Sequence, residues 1–134
     1  VPVAPRAHPA ARRRADATTL ARQAWVLPPP GSLVMREFDE WFASQHVVPP
    51  EGAVVSASFH SNLRIAASCG MWTLAPETAV RAQAAELQLK VVATSWEIRP
   101  SDIVFACRAS ALGNPVVQAL RDSFATMGGS AAEA

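Results

Sequence analysis

The sequence lacks the features that usually mark metal-binding, membrane-spanning and catalytic proteins. Among its 134 residues there are two cysteines, three histidines and no tyrosine. Cys69 and Cys107 lie in no CxxC motif and no Cys/His cluster, so neither a zinc site nor any other cofactor is expected. Their number leaves a disulfide open, but the plainer interpretation is two buried free thiols in a reducing cytoplasm.

Long apolar runs and strong charge are also absent. No stretch approaches the roughly 20 apolar residues that a membrane span needs, so no membrane partner is expected. The formal net charge of +1 excludes a chain that binds nucleic acid over its whole surface. The one dense basic run, Arg12–Arg14, is interpreted as a solvated surface, with phosphate binding as the alternative. The start, Val1–Pro5, has neither a Met nor a signal-peptide pattern, which predicts a chain cut from a longer protein.

Signatures of catalysis are missing as well. The chain contains no GxSxG nucleophile turn, no HExxH zinc motif and no glycine-rich phosphate loop. His60 lies near Ser58 and Ser61 and can be imagined as a base, but a lone histidine beside serines is far more often a packing or surface residue. The acids within residues 37–40 fit a solvated helix face better than an acid/base pair. We therefore expect no catalytic residue and no enzyme.

What the sequence does contain is an alternation of short apolar runs and amphipathic segments. The apolar runs predict strands at residues 25–27, 53–58, 71–75, 89–93 and 102–109. Helical spacing of apolar residues predicts helices at residues 33–45, 62–68, 77–87 and 114–127. This alternation favours an α/β fold, a three-layer sandwich with a mainly parallel sheet. The short, proline-containing start, Val1–Pro5, is expected to be an edge strand or a crossover segment.

Polar residues predict where the helices begin. Asp16 precedes a short helical segment, and Ser32 is a good N-cap for the helix that follows the Pro28–Gly31 turn. Ser61 is a possible cap of the next helix, which Gly70 ends. Asn114 is expected to cap the last helix.

Two hydroxyl-rich turns stand between a predicted strand and a predicted helix. They are Gly31–Ser32 and Ser56–Ser61. In open α/β sheets ligands bind at the carboxyl ends of the strands, where helix N-termini present free N–H groups. Simple N-capping accounts equally well for each serine taken singly, but the joint pattern favours a small-anion site.

Four stretches together resemble the effector-binding region of LysR-type transcriptional regulators over nearly the whole chain. They are Val1–Pro9 with its continuation to Arg14, which looks like a crossing strand and an "HPLA" segment; Trp25–Ser32, which is similar to a recurrent "WVLPPPGS" strand and turn; Ser56–Glu77; and Asp102–Phe124. Each motif is loose, but their order and spacing are specific.

The resemblance implies a fold like that of the type 2 periplasmic binding proteins, in which two Rossmann-like subdomains are joined by two crossing segments. Residues 1–9 would be the crossing strand from the first regulatory subdomain, and residues 10–98 the second, effector-binding subdomain. Residues 99–110 would be the return crossing strand, 111–129 the terminal helix of the first subdomain, and 130–134 a disordered tail. The rest of the first subdomain and a winged helix-turn-helix domain would precede this chain.

The resemblance also implies which residues face the effector. They are Pro30, Gly31 and Ser32 in the first turn, Ser56, Ser58, Phe59 and His60 around the start of the next helix, and Met71 and Trp72 in a strand that borders the cleft. The chain departs from one branch of the family at Gly70, where that branch has an aspartate, so the class of effector is not implied.

The leading hypothesis is therefore a cytoplasmic sensor module. A small organic-acid effector would shift the two subdomains and reposition the DNA-binding arms of a homo-oligomer, a dimer or a tetramer. DNA would be contacted only through the helix-turn-helix domain absent from this chain. The alternatives are a fragment of a type 2 periplasmic solute-binding protein and an enzyme on an α/β scaffold. The apolar face Val116, Val117, Leu120 and Phe124 predicts either self-association or cover by residues of the longer protein.

Overall fold

The computed structural model of the chain describes residues 1–96 and 105–129. The chain forms two compact units, one within residues 1–98 and the other within residues 99–134. The first part of the expected return crossing strand, residues 99–104, and the expected tail at residues 130–134 lie outside the described residues.

A five-stranded sheet forms the centre of the first unit. Its strands are β1 (Pro2–Pro5), β2 (Trp25–Leu27), β3 (Gly52–Val55), β4 (Trp72–Leu74) and β5 (Leu89–Val91), in the order β3-β2-β4-β1-β5. β2 is parallel to both β3 and β4, whereas β1 is antiparallel to both β4 and β5. All strands except β1 therefore run in the same direction, which confirms the mainly parallel sheet of an α/β fold.

Helices cover both faces of this sheet. They are α1 (Ala17–Ala21), α2 (Leu33–Ser44), α3 (Phe59–Cys69) and α4 (Glu77–Gln83). α1 and α2 pack on one face in a core cluster that contains Leu20 and Phe38. α3 and α4 pack on the other face in a cluster that contains Leu63 and Val80. The two clusters make the three layers expected from the sequence.

Successive side chains of a strand point to opposite faces of the sheet, so a short strand contributes residues to both clusters. In β2, Trp25 and Leu27 belong to the α2 side, and Val26 belongs to the α3 side. All three side chains are at most 2% exposed. A three-residue strand buried on both faces is the reason that this run is apolar throughout rather than alternating.

Capping residues act largely where the sequence placed them. Asp16 Oδ1 accepts a hydrogen bond from Thr19 N at 2.7 Å, and hydrogen bonding by the side chain and then the backbone of Thr19 holds the pKa of the Asp16 carboxyl below its ordinary value. Gly70 ends α3 with a φ of 70°, a conformation that glycine adopts without steric cost. The predicted cap Ser61 is wrong, because α3 begins at Phe59 and its N-cap is Ser58, whose hydroxyl accepts from Ser61 N.

The second unit contains a short 3-10 helix, Ala109–Ala111, and α5 (Pro115–Gly129). Val116 N donates to Asn114 Oδ1 at 2.9 Å, so Asn114 caps α5 as predicted. The apolar face of α5 is exposed in the structure: Val116, Leu120 and Phe124 are 67%, 49% and 53% exposed.

The strand predicted at residues 102–109 is not seen in its described part. Residues 105–108 have no regular secondary structure, and the remainder of the prediction lies outside the described residues. The apolar run Phe105–Cys107 satisfied the pattern of a buried strand. However, a strand needs a hydrogen-bonded neighbour, and in the described ranges none pairs with this segment.

Two further expectations about burial are corrected by the structure. Of the two alternatives predicted for Val1–Pro5, the edge strand is wrong, because β1 lies inside the sheet between β4 and β5, while the crossover segment stays a prediction. Its prolines are tolerated because Pro2 and Pro5 occupy its two ends, and the Pro2 carbonyl still accepts from Val92 N at 2.9 Å.

Cys69 and Cys107 are free but exposed rather than buried. Cys69 is the last residue of α3, and Cys107 belongs to the irregular segment.

We predict that Phe38→Ala destabilises the chain by about 3–5 kcal/mol, because it empties a fully buried position between α2 and the sheet. Leu33→Ala is the matched control in the same helix, since Leu33 is 50% exposed and its loss should cost less than about 0.5 kcal/mol. Urea unfolding of both variants measures the difference. Equal losses would show that α2 does not pack through the face described.

Candidate functional site

The carboxyl ends of β2, β3 and β4 lie side by side, because these three strands are parallel neighbours. We call the end of the sheet at which they lie the carboxyl edge. From β2 the chain passes to β3 on one side and then returns to β4 on the other side. The connections that leave β2 and β4 at this edge lead to α2 and α4, on opposite faces of the sheet. The connections from the neighbouring strands β2 and β4 thus leave toward opposite faces of the sheet. Such a place is a topological switch point, and it opens a crevice in which α/β sheets bind ligands.

A tight turn carries the chain from β2 into α2. Ser32 N donates to Pro29 O at 3.3 Å, and Gly31 has a φ of 82°. Proline at the second position and glycine with positive φ at the third position are the requirements of a type II turn. The residues Pro30, Gly31 and Ser32 were predicted as site residues, and this turn places all three at the carboxyl edge.

The N-terminus of α2 retains unused hydrogen-bonding groups. Ser32 is the N-cap, but its hydroxyl makes no capping bond, and its Oγ is buried without a partner in the part of the chain that the structure describes. The first intrahelical bond runs from Arg36 N to Ser32 O. The N–H groups of the first helical turn, Leu33–Met35, have no acceptor among the described residues. They are free to bind an anion.

The N-terminus of α3 is more fully occupied by its own serines. Ser58 Oγ accepts from Ser61 N at 3.3 Å, and Ser56 Oγ accepts from Ser58 N at 3.3 Å. Within residues 1–96 and 105–129, the N–H groups of Phe59 and His60 have no acceptor. Ser56, Ser58, Phe59 and His60 are thus brought together at the same edge as Ser32, because Ser56 N also donates to Leu27 O at the end of β2.

His60 has a partner on the neighbouring helix. Its Nδ1 lies 2.7 Å from Nε2 of Gln83 at the end of α4. An amide nitrogen can only donate, so Nδ1 accepts and the ring proton of neutral His60 is on Nε2. The ring of His60 also lies against Phe59, with centroids 4.2 Å apart. His60 is thus oriented by Gln83 and Phe59, and no carboxylate among the described residues orients it as a general base.

Two residues at this edge were not predicted from the sequence. Asn62 is 1% exposed and donates from Nδ2 to Ser56 O at 3.1 Å. Nothing in the sequence distinguishes it from a polar residue on the helix surface. Glu77 begins α4 after β4 and is paired with Arg81 at 2.7 Å. The order of the strands, which the sequence does not state, brings Glu77 to this edge.

A family model described as the LysR substrate binding domain matches residues 1–128. The chain belongs to the LysR substrate-binding domain family. This is a family of transcriptional regulators, which are not enzymes, so family membership confirms the expectation of a non-enzymatic domain. The sequence resemblance to LysR-type regulators is confirmed with it.

The solved structure of a probable transcriptional regulator has a similar fold. The chain is similar to a probable transcriptional regulator from Pseudomonas aeruginosa, with a TM-score of 0.60 and 22% identity. The similarity covers 75% of this chain and 33% of that chain, so the chain spans about a third of the regulator's length. No curated protein matches the chain.

In this LysR substrate-binding domain, Met71 and Trp72 are the predicted site residues that the structure does not bring to the carboxyl edge. Trp72 begins β4 and pairs with Trp25, the first residue of β2, so both lie at the amino ends of their strands. The Trp72 indole is fully buried and packs edge-on against His8, at 5.3 Å between ring centroids. At the carboxyl end of β4, the position next to the switch point belongs to Ala75 and Pro76.

Other kinds of site find no support in the part of the chain that the structure describes. Its His, Cys, Asp and Glu residues form no group of three or more that could hold a metal ion. None of its helices is long and apolar enough to cross a membrane. Partial burial raises the pKa of Asp39, but its side chain is on α2, away from the two turns.

We predict that Ser58→Ala and Ser32→Ala differ in their effect on stability, although both serines are N-caps. Ser58→Ala removes a capping bond and should cost about 0.5–2 kcal/mol. Ser32→Ala removes a hydroxyl that caps nothing, so the free energy of unfolding should change by less than about 0.5 kcal/mol. Chemical denaturation measures both values. A loss at Ser32 as large as that at Ser58 would show that Ser32 serves the helix and is not a free group.

Proposed function

We propose that this chain is the effector-binding portion of a cytoplasmic LysR-family regulator, and that its carboxyl edge binds a small organic anion. The observation that carries the proposal is the free N-terminus of α2. Its cap residue Ser32 has a buried hydroxyl without a partner among the described residues, and the N–H groups that follow it are unpaired. Buried polar atoms are normally hydrogen-bonded, so the buried and unpaired Ser32 hydroxyl beside these free N–H groups supports a ligand site at this edge.

The charge preference of this edge follows from its donors. A helix N-terminus carries about half a positive charge from aligned peptide dipoles. The starts of α2 and α3 each offer backbone donors, and the hydroxyls of Ser32 and Ser58 can donate as well. Such a set matches the acceptor oxygens of a carboxylate.

Apolar side chains at the same edge favour an organic rather than an inorganic anion. Leu33, the first residue of α2, is 50% exposed, and Phe59, the first residue of α3, is 37% exposed. Small-molecule sites combine apolar surface with a few polar groups that fix orientation. The hydrocarbon part of an aromatic or aliphatic acid would cover Leu33 and Phe59 while its carboxylate meets the N–H groups.

Signalling would follow from differential binding. An effector that binds one arrangement of the regulatory region more tightly than another shifts the population toward it. In the longer protein that the family resemblance implies, this shift would move a DNA-binding domain that is not part of the chain. The regulator would act as a dimer or tetramer, so that paired DNA-binding arms are repositioned together.

The proposal predicts that some organic acids raise the melting temperature of the protein. A ligand that binds only the folded state stabilises it by mass action. Aromatic acids, dicarboxylates and sugar acids would be screened against this chain and against a version extended upstream. Ser32→Ala should lower the affinity for an acid that produces a shift by about tenfold, the effect of one lost charge-assisted hydrogen bond.

Ser44→Ala is the matched control for that experiment. Ser44 ends the same helix, and its hydroxyl donates to Trp41 O at 2.7 Å. Its loss should leave the ligand-induced shift unchanged. If no acid produces a shift, or if Ser32→Ala and Ser44→Ala behave alike, the organic-anion site at this edge is contradicted.

A further inference from the structure

The turn between β3 and α3 is held by a buried side chain from within the helix. Asn62 is the fourth residue of α3 and is 1% exposed. Its Nδ2 donates to Ser56 O at 3.1 Å, and its backbone N donates to Ser58 O at 2.9 Å. The backbone bond is the first i→i−4 bond of the helix, whereas the side-chain bond ties the helix to the residue at the start of the turn.

This closure fixes the groups that face the edge. Ser56 Oγ holds Ser58 N, and Ser58 Oγ in turn accepts from both N and Oγ of Ser61. With the serines occupied in this way, the free N–H groups at the start of α3 are those of Phe59 and His60. When an anion binds, a donor pair that is already fixed in place loses less conformational entropy than a mobile one.

Stability alone accounts poorly for an asparagine at this position. The next residue in the helix, Leu63, belongs to an apolar core cluster, and Asn62 Oδ1 is buried without a partner among the described residues. An unpaired buried acceptor is unfavourable and offsets the gain from the Nδ2 bond. The unpaired Oδ1 therefore reduces the net stability that Asn62 contributes, while its Nδ2 bond still places the turn.

We propose that Asn62 is a positioning residue for the anion site, which it serves by holding the Ser56–Ser58 turn against the first turn of α3. This inference rests on the function proposed above, because it assumes that the free N–H groups of Phe59 and His60 bind the anion. Asn62 itself is buried beneath the turn and acts through the groups that it holds.

The test compares Asn62→Ala with Leu63→Ala in the whole chain. Amide hydrogen exchange at Ser58 and Ser61 reports the turn without any ligand, and titration with sodium benzoate, followed by calorimetry, reports the site. Asn62→Ala should speed exchange at both amides and weaken benzoate binding by about fivefold to tenfold, the scale of one hydrogen bond. Its melting temperature should change less than that of Leu63→Ala, which opens a cavity in the same cluster.

Leu63→Ala should leave the benzoate affinity within about twofold, because the side chain of Leu63 makes none of the hydrogen bonds that hold the turn. If Asn62→Ala does not fold, Asn62→Ser takes its place, since the shorter side chain cannot reach Ser56 O. Unchanged exchange or unchanged affinity in the Asn62 variant overturns the proposal. Equal losses of affinity in the Asn62 and Leu63 variants also overturn it. If the unaltered chain binds no benzoate but Asn62→Ala still speeds exchange, the anion site fails while the hold on the turn stands.

Discussion

The packing of Trp25 against Trp72 and Phe38 is the contact on which the rest of the first unit depends. The two indoles lie 5.7 Å apart between centroids and join the first residues of β2 and β4, and Phe38 lies 5.3 Å from Trp25 and joins α2 to them. Aromatic pairs in this geometry add about 0.5–1.5 kcal/mol to the burial of their surface. They fix the sheet at its amino edge and the direction of α2, and in this way they set where the N-terminus of α2 is presented.

A helix N-terminus presented in this way has unmet hydrogen-bonding capacity. At α3 the hydroxyls of Ser56 and Ser58 accept from Ser58 N and Ser61 N and leave the N–H groups of Phe59 and His60 free, whereas at α2 the hydroxyl of Ser32 accepts from no N–H and remains unpaired among the described residues. The difference matters because both helices begin with a serine cap and look alike in the sequence. The structure separates Ser58, whose hydroxyl caps its helix, from Ser32, whose hydroxyl makes no capping bond.

Much of the fold is predictable from local patterns. The amphipathic α2, the turn that needs glycine at position 31 and the cap at Asp16 follow from spacing and backbone geometry. The interior position of β1 does not, because the prolines that suggest an edge sit at its two ends. The exposure of Cys69 depends on which side of α3 faces the sheet at its last residue. Asn62 could not be predicted, because its role arises from the distance to the Ser56 carbonyl.

The most direct test of the account is a heteronuclear NMR titration of the chain with sodium benzoate at constant ionic strength. The account predicts that the largest amide shifts occur at Leu33–Met35 and at Phe59 and His60, the unpaired groups of the carboxyl edge. The amide of Thr19, which Asp16 caps, should stay unchanged. Shifts centred instead on His8, Met71 and Trp72 would place the ligand at the amino ends of the strands and contradict the account.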